Sequence, residues 1–137
     1  MPEPEPAPES PFKGRSGVAR IVQAFFNSLA GLQDAWRHES AFRQESFLAA
    51  ALVTVAALLP VTPVERALLL ATPLLVLVVE LLNSGVEAAI DRIGLDRHDL
   101  SRRAKDLGSA AVLVTLLLLA LVWGVILLPH AIALAGD

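Results

Sequence analysis

The chain has 137 residues, no cysteine and a formal charge of −3, and 55% of its residues are hydrophobic. That length holds one domain, and the apolar share exceeds what a water-soluble core of this size needs. Lack of cysteine excludes disulfides and thiolate metal sites, and the negative balance argues against nucleic acid as a partner.

The apolar residues come in blocks. Ala67–Val79 carries no charged residue, and Ala110–Leu128 runs for 19 residues without one. The second block is long enough to cross a hydrocarbon layer as a helix. A bundle helix facing water would show a polar residue every few positions, so membrane insertion is the expectation.

At the start, Met1–Pro11 alternates Pro with Glu3, Glu5 and Glu9. It lacks the basic start and apolar stretch of a secretory signal. With little to bury, residues 1–16 are expected to form a disordered, solvated tail. Residues 17–137 form the single integral-membrane domain. Within it Val18, Ile21, Val22, Phe25, Phe26, Leu29, Leu32 and Trp36 follow helical spacing, with Arg20, Gln23, Asn27, Asp34 and Arg37 opposite. The spacing predicts an amphipathic helix over about 17–37, too polar to span and suited to the membrane surface. Packing on a soluble partner is the alternative.

His38–Glu45 is polar, and apolar sequence resumes at Phe47–Leu59. That block gives only ~20 Å of helix, short for a span, and could also be re-entrant. Extension to about 44–60 makes it a span, after which Pro60-Val61-Thr62-Pro63 makes a turn. Thr62 can cap the next helix, Pro63 fits its first position, and Glu65 completes a capping box. This helix is expected over 63–93, with Gly94 as a left-handed stop and Pro73 as a local kink. Its length of ~46 Å exceeds a ~30 Å hydrocarbon layer, so its far end must emerge. Leu95–Asp106 is a charged connection into a last span over about 104–128, which Pro129 ends.

Lys and Arg set the orientation. Lys13, Arg15, Arg20, Arg37 and Arg43 precede the first span, and only Arg66 lies near the first turn. Arg92, Arg97, Arg102, Arg103 and Lys105 lie about the second connection, and none follows the last span. By the positive-inside rule the N-terminus and the Arg92–Lys105 region are cytoplasmic and the C-terminus is outside. The alternation needs three crossings, which favours counting Phe47–Leu59. Trp36 and Trp123 suit either interfacial anchoring or packing.

Chemistry concentrates in Val78–Asp91. Glu80, Asn83, Ser84, Glu87 and Asp91 recur at steps of three and four, on one helical stripe. If the span starts near Ala67, it leaves hydrocarbon near Glu87, and Glu80 lies ~10 Å deeper. A carboxylate at that depth is costly and marks function, and it suits a group that accepts a proton. Hydrogen bonding between helices is the structural alternative. Glu87, at the water boundary, suits a hard cation such as Mg²⁺, which takes one or two carboxylates and phosphate oxygens. Glu39 could supply a second carboxylate or be a solvated interfacial residue. Arg102, Arg103 and Lys105 can neutralise phosphates, on a nucleotide or on lipid headgroups. Gly108, Ser109, Ala110 and Ala111 are small and permit close helix contact. His98 and His130 lie on opposite sides, so the histidines form no metal set. No soluble-kinase phosphate loop, Gly-rich loop or nucleophile elbow is present.

Three stretches, Glu39-Ser-Ala-Phe-Arg-Gln-Glu45, Val79-Glu-Leu-Leu-Asn-Ser-Gly-Val-Glu-Ala-Ala-Ile-Asp-Arg92 and Arg103-Ala-Lys-Asp-Leu-Gly-Ser-Ala-Ala111, resemble the prokaryotic diacylglycerol kinase family. The likeness runs from about Gly17 into the last span. It implies an all-α membrane protein, a surface helix plus three spans, assembled as a homotrimer in the bacterial inner membrane with a periplasmic C-terminus. It implies transfer of the ATP γ-phosphate to the primary hydroxyl of diacylglycerol, giving phosphatidic acid, at sites shared between subunits. On that pattern Glu80 is the general base, and Glu39 and Glu87 hold the divalent metal. Arg20, Glu39, Glu87, Asp96, Arg97, His98, Lys105 and Asp106 face ATP. Ser28, Arg43, Glu45, Glu80, Asn83 and Ser109 line the lipid side. The nearest rival is an undecaprenol kinase, and a more distant one is an ion-conducting or scaffold oligomer with Glu80 in its pathway.

Overall fold

The computed structural model describes residues 17–94 and 98–135, and the tail expected over 1–16 lies outside them. The described residues form four helices: α1 (Val18–His38), α2 (Ser40–Leu58), α3 (Pro63–Ile93) and α4 (Asp99–Ala135). Contacts divide the chain into two units, Met1–Asp34 and Ala35–Asp137.

In the first unit Gly17, at φ 70°, turns the chain into α1, and Arg20 N donates to Gly17 O at 3.2 Å. Val18, Ile21, Val22, Phe25, Phe26, Leu29 and Leu32 stand exposed along α1. A helix carrying such an apolar stripe beside charged residues is built to lie in a membrane interface.

In the second unit α3 packs against both α2 and α4. Helices α2, α3 and α4 are each long and apolar enough to cross a membrane, so the chain is a multi-pass membrane protein. Both α3, of 31 residues, and α4, of 37, are longer than a ~30 Å hydrocarbon layer needs. Chain direction reverses tightly between α2 and α3, and polar groups secure that bend. Thr62 Oγ1 accepts from Glu65 N at 3.3 Å, and Thr62 N donates to Glu65 Oε2 at 2.8 Å, the capping box the sequence predicts. Arg66 then reaches back to the end of α2. Its guanidinium donates to Ala56 O at 2.9 Å, to Ala57 O, and to Leu59 O at 2.9 Å. Ala56 O and Ala57 O lack amide partners within α2, whereas Leu59 O, just beyond it, also accepts from Val61 N at 3.0 Å.

Next to this bend Ala56, Leu69, Trp123 and Ile126 make the apolar core, with Leu52, Leu119 and Val122 packed against it. Trp123 Nε1 donates to Thr72 Oγ1 at 3.2 Å, tying α4 to α3. Trp123 is therefore a core residue, and the anchoring alternative falls away for it. Trp36 stays partly exposed and meets Phe47 edge-on at 5.7 Å between ring centres.

Several local expectations need correction. The chain breaks only at Glu39, whose extended backbone (φ −101°, ψ 110°) leads straight into α2 at Ser40. The polar stretch before Phe47 is thus mostly helical. Gly94 is extended at φ 169°, so α3 ends without a left-handed residue. Much of the expected connection Leu95–Asp106 is helix, because His98 caps α4: its Nδ1 accepts from Leu100 N at 3.2 Å. Nor does Pro129 end the last helix, which runs to Ala135. Pro129 removes only the one backbone donor that would reach Val125 O, and the helix carries on past it, with His130 Nδ1 2.8 Å from Ile126 O.

Replacing Arg66 by Ala strands the α2 carbonyls, and thermal unfolding of detergent-purified protein should show a loss of about 1–3 kcal/mol. Arg66→Lys, with fewer donors, should fall between wild type and Ala.

Candidate functional site

Helical periodicity carries one face of α3 from the core to the chemistry. Leu69, Thr72, Pro73, Val76 and Glu80 follow steps of three and four, and all are buried. Asn83 and Glu87 continue the same stripe and are half-buried. The stripe thus changes from apolar to polar along a single rigid rod, with ~10 Å of rise from Glu80 to Glu87.

Glu80 is 4% exposed, within a membrane-spanning helix. The carboxylates of Glu39 and Glu87 lie close enough to repel its charge, and Glu80 in turn bears on Glu45. Helices α2 and α3 therefore bring Glu39, Glu45, Glu80 and Glu87 into one acidic cluster. Glu39 gets there because it sits at the break before α2, where its side chain makes no capping bond. Glu45 is half-buried, and its Oε2 is shielded without a partner. On α3, Asn83 Nδ2 donates to Glu87 Oε1 at 3.2 Å.

The positive side comes from α4. Lys105 Nζ pairs with Asp91 Oδ1 at 2.6 Å, and its charge also feels Glu87. Asp91 is the residue that sequence reasoning left without a role. Its place one turn beyond Glu87 was visible, but nothing in the sequence brings Lys105 back beside it. Asp106 instead pairs with Arg102 on its own helix at 3.0 Å, both groups exposed. With His98 Nδ1 accepting the Leu100 amide, the outward ring nitrogen is Nε2.

The remaining expected residues divide. Arg43 Nη1 donates to Trp36 O at 2.9 Å and to Arg37 O at 3.3 Å, securing the end of α1 instead of pointing at the cluster. Ser109 is exposed on α4. Arg20 and Ser28 belong to the first unit, where Ser28 Oγ donates to Ala24 O of its own helix at 2.9 Å. Asp96 and Arg97 lie outside the described residues.

Among the described residues no three His, Cys, Asp or Glu side chains gather as a metal site. A pair of carboxylates leaves positions open for phosphate oxygens and water, the coordination Mg²⁺ favours. Glu39 and Glu87, half-buried hard donors beside the same Glu80, fit that requirement.

The chain is similar to known proteins over most of its length. The sequence model described as prokaryotic diacylglycerol kinase matches residues 26–127. A protein of Pseudomonas aeruginosa named diacylglycerol kinase is 53% identical over 119 residues, covering 87% of this chain and 97% of its own length. A Haemophilus influenzae protein of the same name is 46% identical over 112 residues, 82% of this chain and 95% of its own. The Escherichia coli K12 protein so named is 44% identical over 115 residues, covering 84% and 94%.

Crowding carboxylates around a buried one opposes folding. Glu80→Gln keeps the shape and removes the charge, so it should raise the thermal midpoint in detergent, by about 0.5–2 kcal/mol of stability. An unchanged or lower midpoint would show that Glu80 carries no electrostatic strain.

Proposed function

The chain belongs to the prokaryotic diacylglycerol kinase family, and on that premise we propose that it transfers the γ-phosphate of ATP to the primary hydroxyl of diacylglycerol, giving phosphatidic acid. One observation carries the proposal: a carboxylate, Glu80, is buried within a helix long and apolar enough to span, on the stripe that leads to half-buried Glu87. A lipid alcohol reaches its base from within the bilayer, whereas a water-borne nucleotide needs its ligands near the boundary.

In the proposed reaction Glu80 accepts the hydroxyl proton as the lipid oxygen bonds to the γ-phosphorus. The bond from that phosphorus to the bridging oxygen of ADP breaks, and ADP leaves with the electron pair. Glu39 and Glu87 would hold a divalent cation, which offsets charge on the phosphate oxygens. Lys105, next to Glu87, adds positive charge for the phosphates, and Asp91 fixes its position. Phosphoryl transfer depends chiefly on positioning and charge stabilisation, which these residues would supply from α3, α4 and the start of α2. Asn83 orients Glu87 and borders the lipid side with Glu45, Arg43, Ser28 and Ser109. Arg20, Asp96, Arg97, His98 and Asp106 complete the proposed nucleotide contacts, His98 through Nε2.

We place residues 1–16 as a tail and 17–137 as the kinase domain in the bacterial inner membrane. The clusters of Lys and Arg before α2 and about the α3–α4 connection support a cytoplasmic N-terminus and a periplasmic C-terminus. The working unit is proposed to be a homotrimer with sites shared between neighbours, as the sequence resemblance implies.

Purified protein with ATP and Mg²⁺ should phosphorylate diacylglycerol in preference to undecaprenol, and the opposite preference would overturn the substrate. Glu80→Gln should lower turnover about 10²–10⁴-fold while the protein remains folded. Retained turnover would remove Glu80 as the base. Glu87→Ala should shift the Mg²⁺ titration to higher concentration, and an unshifted curve would refute its metal role.

A further inference from the structure

Asn83 stands where α3 meets α4, and the two ends of its carboxamide are treated differently. Nδ2 donates to Glu87 Oε1 at 3.2 Å, but Oδ1 is shielded from solvent and meets no donor. What lies against Oδ1 is the bare face of Gly108. A Cβ on Gly108 would overlap Oδ1 and lie 3.3 Å from Cγ, tighter than almost any real contact. The close approach is local, because Gly31, Gly85, Gly94 and Gly124 all have open space where a Cβ would go.

A rotation that frees Oδ1 also swings Nδ2, because both atoms belong to one planar amide. Any side chain at position 108 therefore displaces the donor that holds Glu87. We propose that Gly108 is a positioning residue for phosphoryl transfer: its missing side chain forms the notch that seats the Asn83 carboxamide and so aims Nδ2 at Glu87. The proposal deepens the metal role proposed above for Glu87 and rests on it. It also accounts for a buried acceptor left unmatched within the chain, which is the consequence of holding the amide in the one orientation that serves Glu87.

A double-mutant cycle between positions 108 and 83 tests the link. Gly108→Ala should lower kcat/KM for ATP by about 10–100-fold and move the Mg²⁺ titration to higher concentration. In an Asn83→Ala background the same substitution should cost less than about twofold, since the notch then has nothing to seat. Gly124→Ala, on the same helix with open space, should behave as wild type. An equal loss in both backgrounds would mean that Gly108 serves helix packing alone, and wild-type kinetics with an unshifted metal curve would equally overturn the proposal. Thermal midpoints of the same variants separate this from failure of the function itself. If wild-type protein phosphorylates no lipid, the proposed function falls. The seating of Asn83 then stands only if Gly108→Ala lowers the midpoint in wild type and not in Asn83→Ala. Should Gly108→Ala alone fail to fold, recovery of folded Asn83→Ala/Gly108→Ala supports the notch and its loss refutes it.

Discussion

A carboxylate buried in a membrane-spanning helix is the constraint on which the rest of the structure depends. Glu80 is 4% exposed, and its neighbours Glu39, Glu45 and Glu87 add repulsion to the cost of desolvation. Such a cluster persists only if the helices around it are held by other means. The apolar half of α3 and the bend beside it meet that need. Arg66 satisfies the carbonyls that end α2, the Thr62–Glu65 box starts α3, and Trp123 bonds Thr72 across to α4. Stability is concentrated at one end of the bundle and strain at the other. That separation matches the general tendency of proteins to hold costly polar groups at functional sites and to offset them elsewhere.

Much of this was legible in the sequence because it depends on local pattern. A Thr-Pro-Val-Glu start, a long apolar run and acidic residues at steps of three and four identify α3 and its polar stripe without reference to other helices. What escaped was contact between helices distant in sequence. Asp91 was visible on the stripe, yet its pairing with Lys105 exists only because α4 folds back along α3. Gly108 read as one of several small residues, and only the packed structure shows that Asn83 occupies the space its side chain would take. The helix ends failed for a related reason. Pro129 is a breaker by propensity but removes a single donor from a long apolar helix, and at the start of α4 the His98 ring accepts a backbone amide that has no helical partner. Propensity counts backbone donors and acceptors, and it omits those that a histidine ring can supply.

Charge balance around the cluster bears directly on how a nucleotide could be accommodated. Lys105, whose charge feels Glu87, is already paired with Asp91, while Arg102 is paired with Asp106. Against them stand Glu39, Glu45, Glu80 and Glu87. A bare polyphosphate would meet net repulsion at such a place, strongest at the low-dielectric end near Glu80. The repulsion is relieved only where additional positive charge arrives with the phosphates or from neighbouring basic groups. On the proposed reading, the acidic cluster therefore selects for a nucleotide carrying its own divalent cation. The exposed Asp91–Lys105 pair then contributes little to stability and serves to hold a positive charge at the boundary. On that reading, the same residues that make the folded chain costly set the ionic form in which its co-substrate is received.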